Sequence, residues 1–254
     1  MIRVVLIGSG NLAYHLHKAL LGAEDVMLTG LVARRPEALS DFDPVVPKKT
    51  LGTVPDAADV YILAVADGAI AEVMKNYQGV EGLFVHTSGA MDLMVLKDAS
   101  RRGVLYPLQT FSKARAIDFK KVPLCIEAAL ESDAVLLTAL ARALSTQVLE
   151  IPTAKRRALH LAAVYVNNFS NHMMYLGETI CAEAGLSKSL LGPLLDETCA
   201  KAKDLSAYSA QTGPARRNDT ETLEAHLRML TGEDDKELYI KISESIQRTY
   251  EQEL

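Results

Sequence analysis

The apolar residues of the first 150 positions come in short runs. "IRVVLI" (2–7) is continuous instead of alternating, as expected of a strand buried on both faces. "VMLTGLVA" (26–33), "VYILAVA" (60–66), "GLFVHTS" (82–88) and "VPLCIEA" (122–128) repeat the pattern, and "TQVLEIP" (146–152) adds a last strand that ends at a proline. Between several of these runs the apolar spacing is helical, at Asn11 to Leu21 and near 68–77, 91–99 and 131–144. Strand–helix alternation predicts an α/β unit whose mostly parallel sheet carries helices on both faces. The segment 36–56, with Pro36, Pro44, Pro47 and Pro55, reads as irregular with room for one short strand.

Beyond Pro152 the pattern changes. Residues 153–254 show no strand pattern, and amphipathic helices are expected near 220–230 and 234–252. This predicts two domains, an α/β domain over 1–152 and an all-α domain over 153–254. The stretch "ALHLAAVYVNNFSNHMMYLG" (158–177) has no Asp, Glu, Lys or Arg, yet carries His160, Asn167, Asn168, Asn171 and His172. At 3.6 residues per turn His160, Asn167 and Asn171 fall nearly on one line. So many amide and imidazole groups argue against a membrane span. They predict a buried helix whose polar stripe faces a ligand, or a dimer seam satisfied by cross-chain hydrogen bonds.

Composition narrows the function classes. The chain has 254 residues, 49% hydrophobic and 23% charged, as in an ordinary globular protein. A net charge of −5 offers no electrostatic footprint for nucleic acid or an anionic membrane. The opening "MIRVVLIGSG" is too short an apolar run for a signal peptide. Cys125, Cys181 and Cys199 are widely spaced and form no metal-ligand pattern. The expectation is a cytoplasmic protein with reduced cysteines and no metal.

The chemistry begins at Gly8-Ser9-Gly10-Asn11-Leu12-Ala13, a G-x-G-x-x-A motif placed directly after the first strand and opening the first helix. In that context Gly8 permits the tight turn and Gly10 lets a pyrophosphate approach the backbone. Ala13 keeps the helix close to the sheet, and the helix N-terminus supplies N–H donors. An NAD site wants an acid at the end of the second strand; "LVARRPE" puts Arg34 and Arg35 there, and a guanidinium fork suits the 2′-phosphate of NADP. Ala66 ends the 60–66 strand, and Asp67 and Gly68 follow it, where backbone would line the nicotinamide ribose. His86, Thr87 and Ser88 end the 82–88 strand, and "LYPLQTF" brings Tyr106, Gln109 and Thr110 nearby.

The turn Gly8–Ala13, "HTSGA" (86–90), "PLQTFS" (107–112), "HLAAVYVNNF" (160–169) and "TGPARRND" (212–219) occur in this order. Together they resemble a bacterial family of Rossmann-like NADP oxidoreductases with a C-terminal helical domain of unknown function. That family is similar to pyrroline-5-carboxylate reductase and to the 6-phosphogluconate and 3-hydroxyacid dehydrogenases. The resemblance implies an N-terminal Rossmann-type NADP domain, a helical dimerisation domain and an active site in the cleft between them. It also implies "HPLQTF" where this chain has Tyr106. The dehydrogenases carry a helix with a catalytic Lys and an Asn four residues later, and the sugar-acid enzymes add a His three residues before that Lys. With His160 and Asn167 laid on this pattern, the Lys position is Ala163.

The function expected from these residues is NADP-dependent hydride transfer to or from a C=O or C=N bond of a small, carboxylate-bearing metabolite, by a homodimer joined through its C-terminal helices. Gly8, Ser9, Gly10, Asn11, Leu12, Arg34, Arg35, Ala66 and Asp67 would hold the cofactor. With no lysine, His86, Ser88, His160 and Asn167 are the catalytic candidates, because hydride transfer needs a proton donor and groups that orient the acceptor. Asn168, Thr212 and Arg216 would bind substrate. Within "QTGPARRND", Gly213-Pro214 marks a turn, and Asn218 with Glu221 three residues on makes a helix start. The alternative is an NADP(H)-binding sensor or regulatory protein without turnover, which the missing lysine keeps open.

Overall fold

The computed structural model describes residues 1–53 and 57–251. It divides into two compact units, Met1–Met173 and Met174–Leu254. The end of the irregular 36–56 segment and position 252 of the last expected helix lie outside the described residues.

The first unit is built on eight strands, β1 (Ile2–Ile7), β2 (Val26–Ala33), β3 (Lys48–Thr50), β4 (Val60–Leu63), β5 (Leu83–His86), β6 (Arg101–Pro107), β7 (Leu124–Ala128) and β8 (Val148–Glu150). Their order is β3-β2-β1-β4-β5-β6-β7-β8, and every pairing is parallel except β6 with β7. The expected mostly parallel sheet is therefore present, with β3 as the short strand inside the proline-rich segment. Both faces are buried. Val4, Leu6, Val60, Ile62, Leu83 and Val85 face one side, against α1 (Asn11–Leu21) and α3 (Glu131–Leu144). Val5, Ile7, Tyr61, Leu63 and Phe84 face the other, against α2 (Ile70–Met74). The period-2 split of adjacent residues between two apolar layers is why these strands read as continuous apolar runs.

Two local expectations are corrected. Residues 91–99 form no α-helix. Only Leu93–Leu96 makes a single 3₁₀ turn, capped by Asp92, whose Oδ1 accepts from the Met94 N–H at 2.9 Å. The carbonyls of Ala90 and Met91 just before it accept from arginine side chains instead of helical N–H groups.

The second correction concerns 158–177. It is α4 (Thr153–Ala163), a π-helical turn over Val164–Phe169 and the start of α5 (Ser170–Glu183). It is not buried: Tyr165 is 62% and Val166 78% exposed in the single chain. The wide turn also breaks the 3.6-residue phase on which Asn171 shared a line with His160.

The second unit takes most of α5, then α6 (Gly192–Asp204), α7 (Ala207–Ala210), α8 (Thr220–Met229) and α9 (Glu233–Tyr250). No strand occurs among its described residues. Tyr208 stacks on Tyr250 at 4.6 Å between ring centroids, and the Tyr250 hydroxyl donates to the Tyr208 carbonyl at 2.7 Å. The helix start near Asn218 lies one residue later than expected. Asp219 is the cap, its carboxylate accepting from the Thr222 N–H at 3.1 Å and the Thr222 hydroxyl at 2.8 Å. Asn218 instead takes the left-handed φ of 51° that turns the chain into α8. Among the described residues no helix is long and apolar enough to cross a membrane.

Candidate active site

The carboxyl ends of β1, β2, β4, β5 and β6 share one edge of the sheet, and the strand order reverses between β1 and β4. Open α/β sheets bind ligands at such a reversal. A groove of about 390 Å³ lies here, lined by Gly8, Ser9 and Gly10 after β1, Arg34 after β2 and Ala64 to Ala66 after β4. Gly8 has φ 136°, and a Cβ on it would stand 2.1 Å from the Ala64 carbonyl oxygen, so the turn admits only glycine. At Gly10 a Cβ would meet no protein atom within 4 Å. Gly10 is also the N-cap of α1, and no side chain caps this helix start. The first-turn N–H groups are thus left for an anion. No acid stands at the end of β2. Arg34 and Arg35 are exposed there, and neither is ion-paired among the described residues. A bare glycine cradle, uncapped N–H donors and a guanidinium at the groove fit a pyrophosphate and a 2′-phosphate.

A second pocket of about 550 Å³ lies between the segment after β6 and the face of α4 with its π-helical turn. Its polar lining is Tyr106, Gln109, Thr110, His160, Asn167 and Asn168. No Lys, Arg, Asp or Glu is part of that lining. Tyr106, 9% exposed, and His160 share a hydrogen bond of 3.2 Å between the phenol oxygen and Nδ1. Burial pushes the Tyr106 phenol above its ordinary value. Gly89 explains how the two rings meet. A Cβ there would stand 2.6 Å from His160 Nδ1 and 2.7 Å from Tyr106 Cζ, so the glycine of "HTSGA" makes room for both.

What holds α4 in place is a buried ion pair. Arg156, 1% exposed, pairs with Glu127 at the end of β7, and its Nη2 donates to the Met91 carbonyl at 2.5 Å. Glu127 also caps the helix, accepting from the Thr153 N–H at 2.9 Å and the Thr153 hydroxyl at 2.8 Å. Arg157 Nε donates to the Ala90 carbonyl at 2.8 Å. Two adjacent arginines thereby tie the loop after β5 to the helix that carries His160.

Comparison with known proteins accords with this geometry. A family model described as a domain of unknown function (DUF2520) matches residues 122–246. A "putative NADP oxidoreductase" from Bacteroides fragilis is 36% identical over 97% of this chain and 98% of that one, with a TM-score of 0.90. The chain belongs to that oxidoreductase family. More distant structures share the fold. A reductive aminase from Aspergillus terreus, in complex with NADPH and ethyl levulinate, is 13% identical over 99% of this chain and 94% of that one, with a TM-score of 0.72. A pyrroline-5-carboxylate reductase from Coxiella burnetii is 17% identical over 99% and 98%, with a TM-score of 0.56. A comparison with curated proteins finds no match.

In this family member the groove takes in Gly8, Ser9, Gly10, Arg34 and Ala66 of the expected cofactor residues. Asn11, Leu12, Arg35 and Asp67 do not line it, and the Leu12 side chain packs on the core, which leaves its N–H as the only group it can offer. Of the expected catalytic and substrate residues, His160, Asn167 and Asn168 come together in the second pocket. Ala163, at the position of the dehydrogenase lysine, is in the same wall.

His86 and Ser88 do not join them in either lining. His86 is 0% exposed, and its Nδ1 accepts from the Ser88 N–H at 3.2 Å. The Ser88 hydroxyl accepts from the N–H groups of Ala90 and Met91 at 3.1 and 3.0 Å, so it closes the loop. Both residues shape the loop that carries Gly89. Thr212 and Arg216 stand in the second unit, where the Arg216 guanidinium lies 4.5 Å above the Tyr250 ring.

The sequence reading placed Tyr106 near the site but gave it no role, and it overlooked Arg156. The departure from "HPLQTF" was the available signal for Tyr106. A buried arginine gives none in a sequence.

Burial, reinforced by the Arg156 charge, pushes the His86 imidazole down to about 4. The folded protein then resists a proton that the unfolded chain accepts below about 6.5. Stability is fully present above the unfolded value and falls as pH drops from there towards 4, by about 3 kcal/mol in all. His17, also lowered by burial, adds a loss of the same sign. Urea unfolding at pH 7 and pH 4.5 reads the effect, and His86→Gln is expected to lose most of its share of the slope. A variant with the wild-type slope would place the proton uptake elsewhere.

Proposed function

We propose that this protein is an NADP-dependent oxidoreductase acting on a C=O or C=N bond of a small metabolite. The observation that carries the reading is the pairing of two sites in one unit. One is a glycine-lined, uncapped groove with Arg34 at its rim, and the other is a pocket whose polar groups are those of a proton-transfer site. The cofactor, when bound, would supply the hydride in its reduced form NADPH, or accept it as NADP⁺. Gly8, Ser9, Gly10 and the first-turn N–H groups would hold its pyrophosphate, and Arg34 its 2′-phosphate.

In the pocket His160 carries the proton. As an imidazolium it donates Nδ1–H to the Tyr106 oxygen and keeps Nε2–H for the oxygen or nitrogen that gains charge. Tyr106 fixes the ring, and the Asn167 and Asn168 amides orient the acceptor with donors and acceptors of both kinds. Phe111, Leu159 and Val164 give the pocket apolar walls. The lining supports a carbonyl or imine. Apart from His160 it gives a carboxylate only neutral partners, and neither Thr212 nor Arg216 is part of it.

The homodimer is part of the same proposal. Leu190, Leu194 and Met229 in the second unit stay exposed in the single chain, and apolar surface of this kind is usually covered by a partner. Residues 153–254 would then be the dimerisation domain.

Oxidation of NADPH, followed against ketones, keto acids and cyclic imines, tests the enzyme reading. A substrate found this way should be turned over at least about 100-fold more slowly by His160→Ala. Tyr106→Phe should be slower and shifted in its pH profile. Turnover untouched by both substitutions would remove the proton-donor role from this pair.

A further inference from the structure

A third pocket, of about 380 Å³, shares no residue with the two described above. One wall is α1, where Tyr14, Lys18 and Gly22 recur every four residues and so share a face. The other is the segment between β6 and β7, which His15 fixes against α1 by donating Nε2–H to the Ser112 carbonyl at 2.9 Å. Phe119, 8% exposed, and Leu144 at the end of α3 give it apolar surface. Three lysines converge here, Lys18, Lys113 and Lys120, against one carboxylate, Asp118. That carboxylate is already engaged: Oδ1 accepts from the Lys120 backbone N–H at 3.2 Å, and Oδ2 pairs with Lys121 at 3.1 Å. Lys18 and Lys120 have no carboxylate partner among the described residues. Lys113 pairs with Asp41 at 3.1 Å, which lies outside the lining. Lys18 Nζ stands 4.3 Å and Lys113 Nζ 5.5 Å from the centre of the same ring, that of Tyr14. Lys120 Nζ is held by the Ala143 carbonyl at 2.7 Å, which uses one of its three N–H donors.

We infer that this pocket is a second ligand site, for a small organic anion: a carboxylate or phosphate monoester on a compact apolar body. The chain as a whole is negative, at −5, so a local excess of positive charge marks the pocket and not the surface at large. Like charges gathered at one place repel, and a bound anion relieves that repulsion. Ammonium groups act as point charges and take either head group, without the flat bidentate geometry a guanidinium imposes. The body of the ligand meets Ile117, Phe119 and Leu144. The volume is within the range of sites for small molecules. This inference does not depend on the cofactor reading, because none of its residues belongs to the glycine groove.

The test is a titration of the protein with phenylacetate and with phenyl phosphate, following the methyl groups of Ile117 and Leu144 by NMR. At least one probe should bind saturably and shift both residues. It should bind about tenfold tighter than its head group alone, acetate or inorganic phosphate, and than phenylacetamide, which keeps the ring without the charge. Lys18→Ala combined with Lys113→Ala should weaken binding by about tenfold or more. Lys18 is exposed and Lys113 makes only a surface ion pair, so the fold should persist. Ala116→Glu sets a carboxylate among the lysines from an exposed position, and should weaken binding equally with all three lysines in place. Arg34→Ala should leave it unchanged, which separates this site from uptake of phosphate by the glycine groove. No shift at Ile117 and Leu144 with either probe would overturn the inference. So would head groups that bind as tightly as the probes, or binding undiminished in both the lysine and the Ala116→Glu variants.

Discussion

Arg156→Ala is expected to destabilise the first unit by about 3–5 kcal/mol, the cost of breaking a buried ion pair and leaving one partner charged. The magnitude follows from what the guanidinium satisfies. It pairs with Glu127, donates to the Met91 carbonyl and reaches the Thr153 hydroxyl at 3.2 Å, all with 1% exposure. Removing it leaves the Glu127 carboxylate with only the Thr153 cap and strips the β5 loop of a tether. His160 sits one helical turn beyond Arg156, so a loosened α4 also separates the imidazole from Tyr106. Urea unfolding measures the first effect, and the NMR chemical shifts of the His160 ring follow the second. A double variant, Arg156→Met with Glu127→Leu, should recover most of the stability because no charge is left unpaired. A loss below about 1 kcal/mol in Arg156→Ala would show that α4 is held by other contacts.

The second large effect separates fold from cofactor within one turn. Gly8→Ala puts a methyl group 2.1 Å from a backbone oxygen at a φ of 136°. Neither neighbour can yield cheaply, so a stability loss on the order of 3 kcal/mol is expected. Shifting the turn by an ångström would also misalign the α1 N–H groups and weaken NADPH binding by about 100-fold. Gly10→Ala is the contrasting case. Its backbone, φ −75° and ψ −177°, suits alanine, and the new Cβ meets no protein atom within 4 Å. Its unfolding should match the wild type while NADPH affinity falls, because the methyl group occupies space a pyrophosphate needs. If Gly10→Ala bound NADPH as tightly as the wild type, the anion would have to sit elsewhere.

Much of this architecture was legible because it rests on local signals. The helix Asn11–Leu21 and the helix Glu131–Leu144 end where their apolar spacing ends. The strands reveal themselves through β-branched runs, though β4 and β5 stop earlier, at Leu63 and His86, where the chain turns into the ligand-facing loops. The groove was legible for the same reason, since Gly8, Gly10 and Arg34 lie at fixed offsets from strand ends. The second pocket was legible only in part. Tyr106 and His160 are 54 residues apart, and Arg156 meets Met91 across 65, distances that no periodicity spans. The polar stripe was read with a uniform 3.6-residue period, whereas the π-helical turn at Val164–Phe169 resets the phase. It brings Asn167 and Asn168 to the pocket together, with Asn171 outside its lining. His86 is buried outside the lining of both pockets, and a strand-end histidine looks alike in sequence whether it faces the ligand or the core.

The measurement that tests the central claim most directly is a titration of the purified protein with NADPH and with NADH, followed by nicotinamide fluorescence and repeated on Arg34→Ala. The account predicts saturable NADPH binding, at least about tenfold tighter than NADH, with that preference lost in the variant because the 2′-phosphate no longer meets a guanidinium. Binding of neither nucleotide would contradict it: the glycine turn would then be a feature of the fold alone, and the oxidoreductase reading of both pockets would fall.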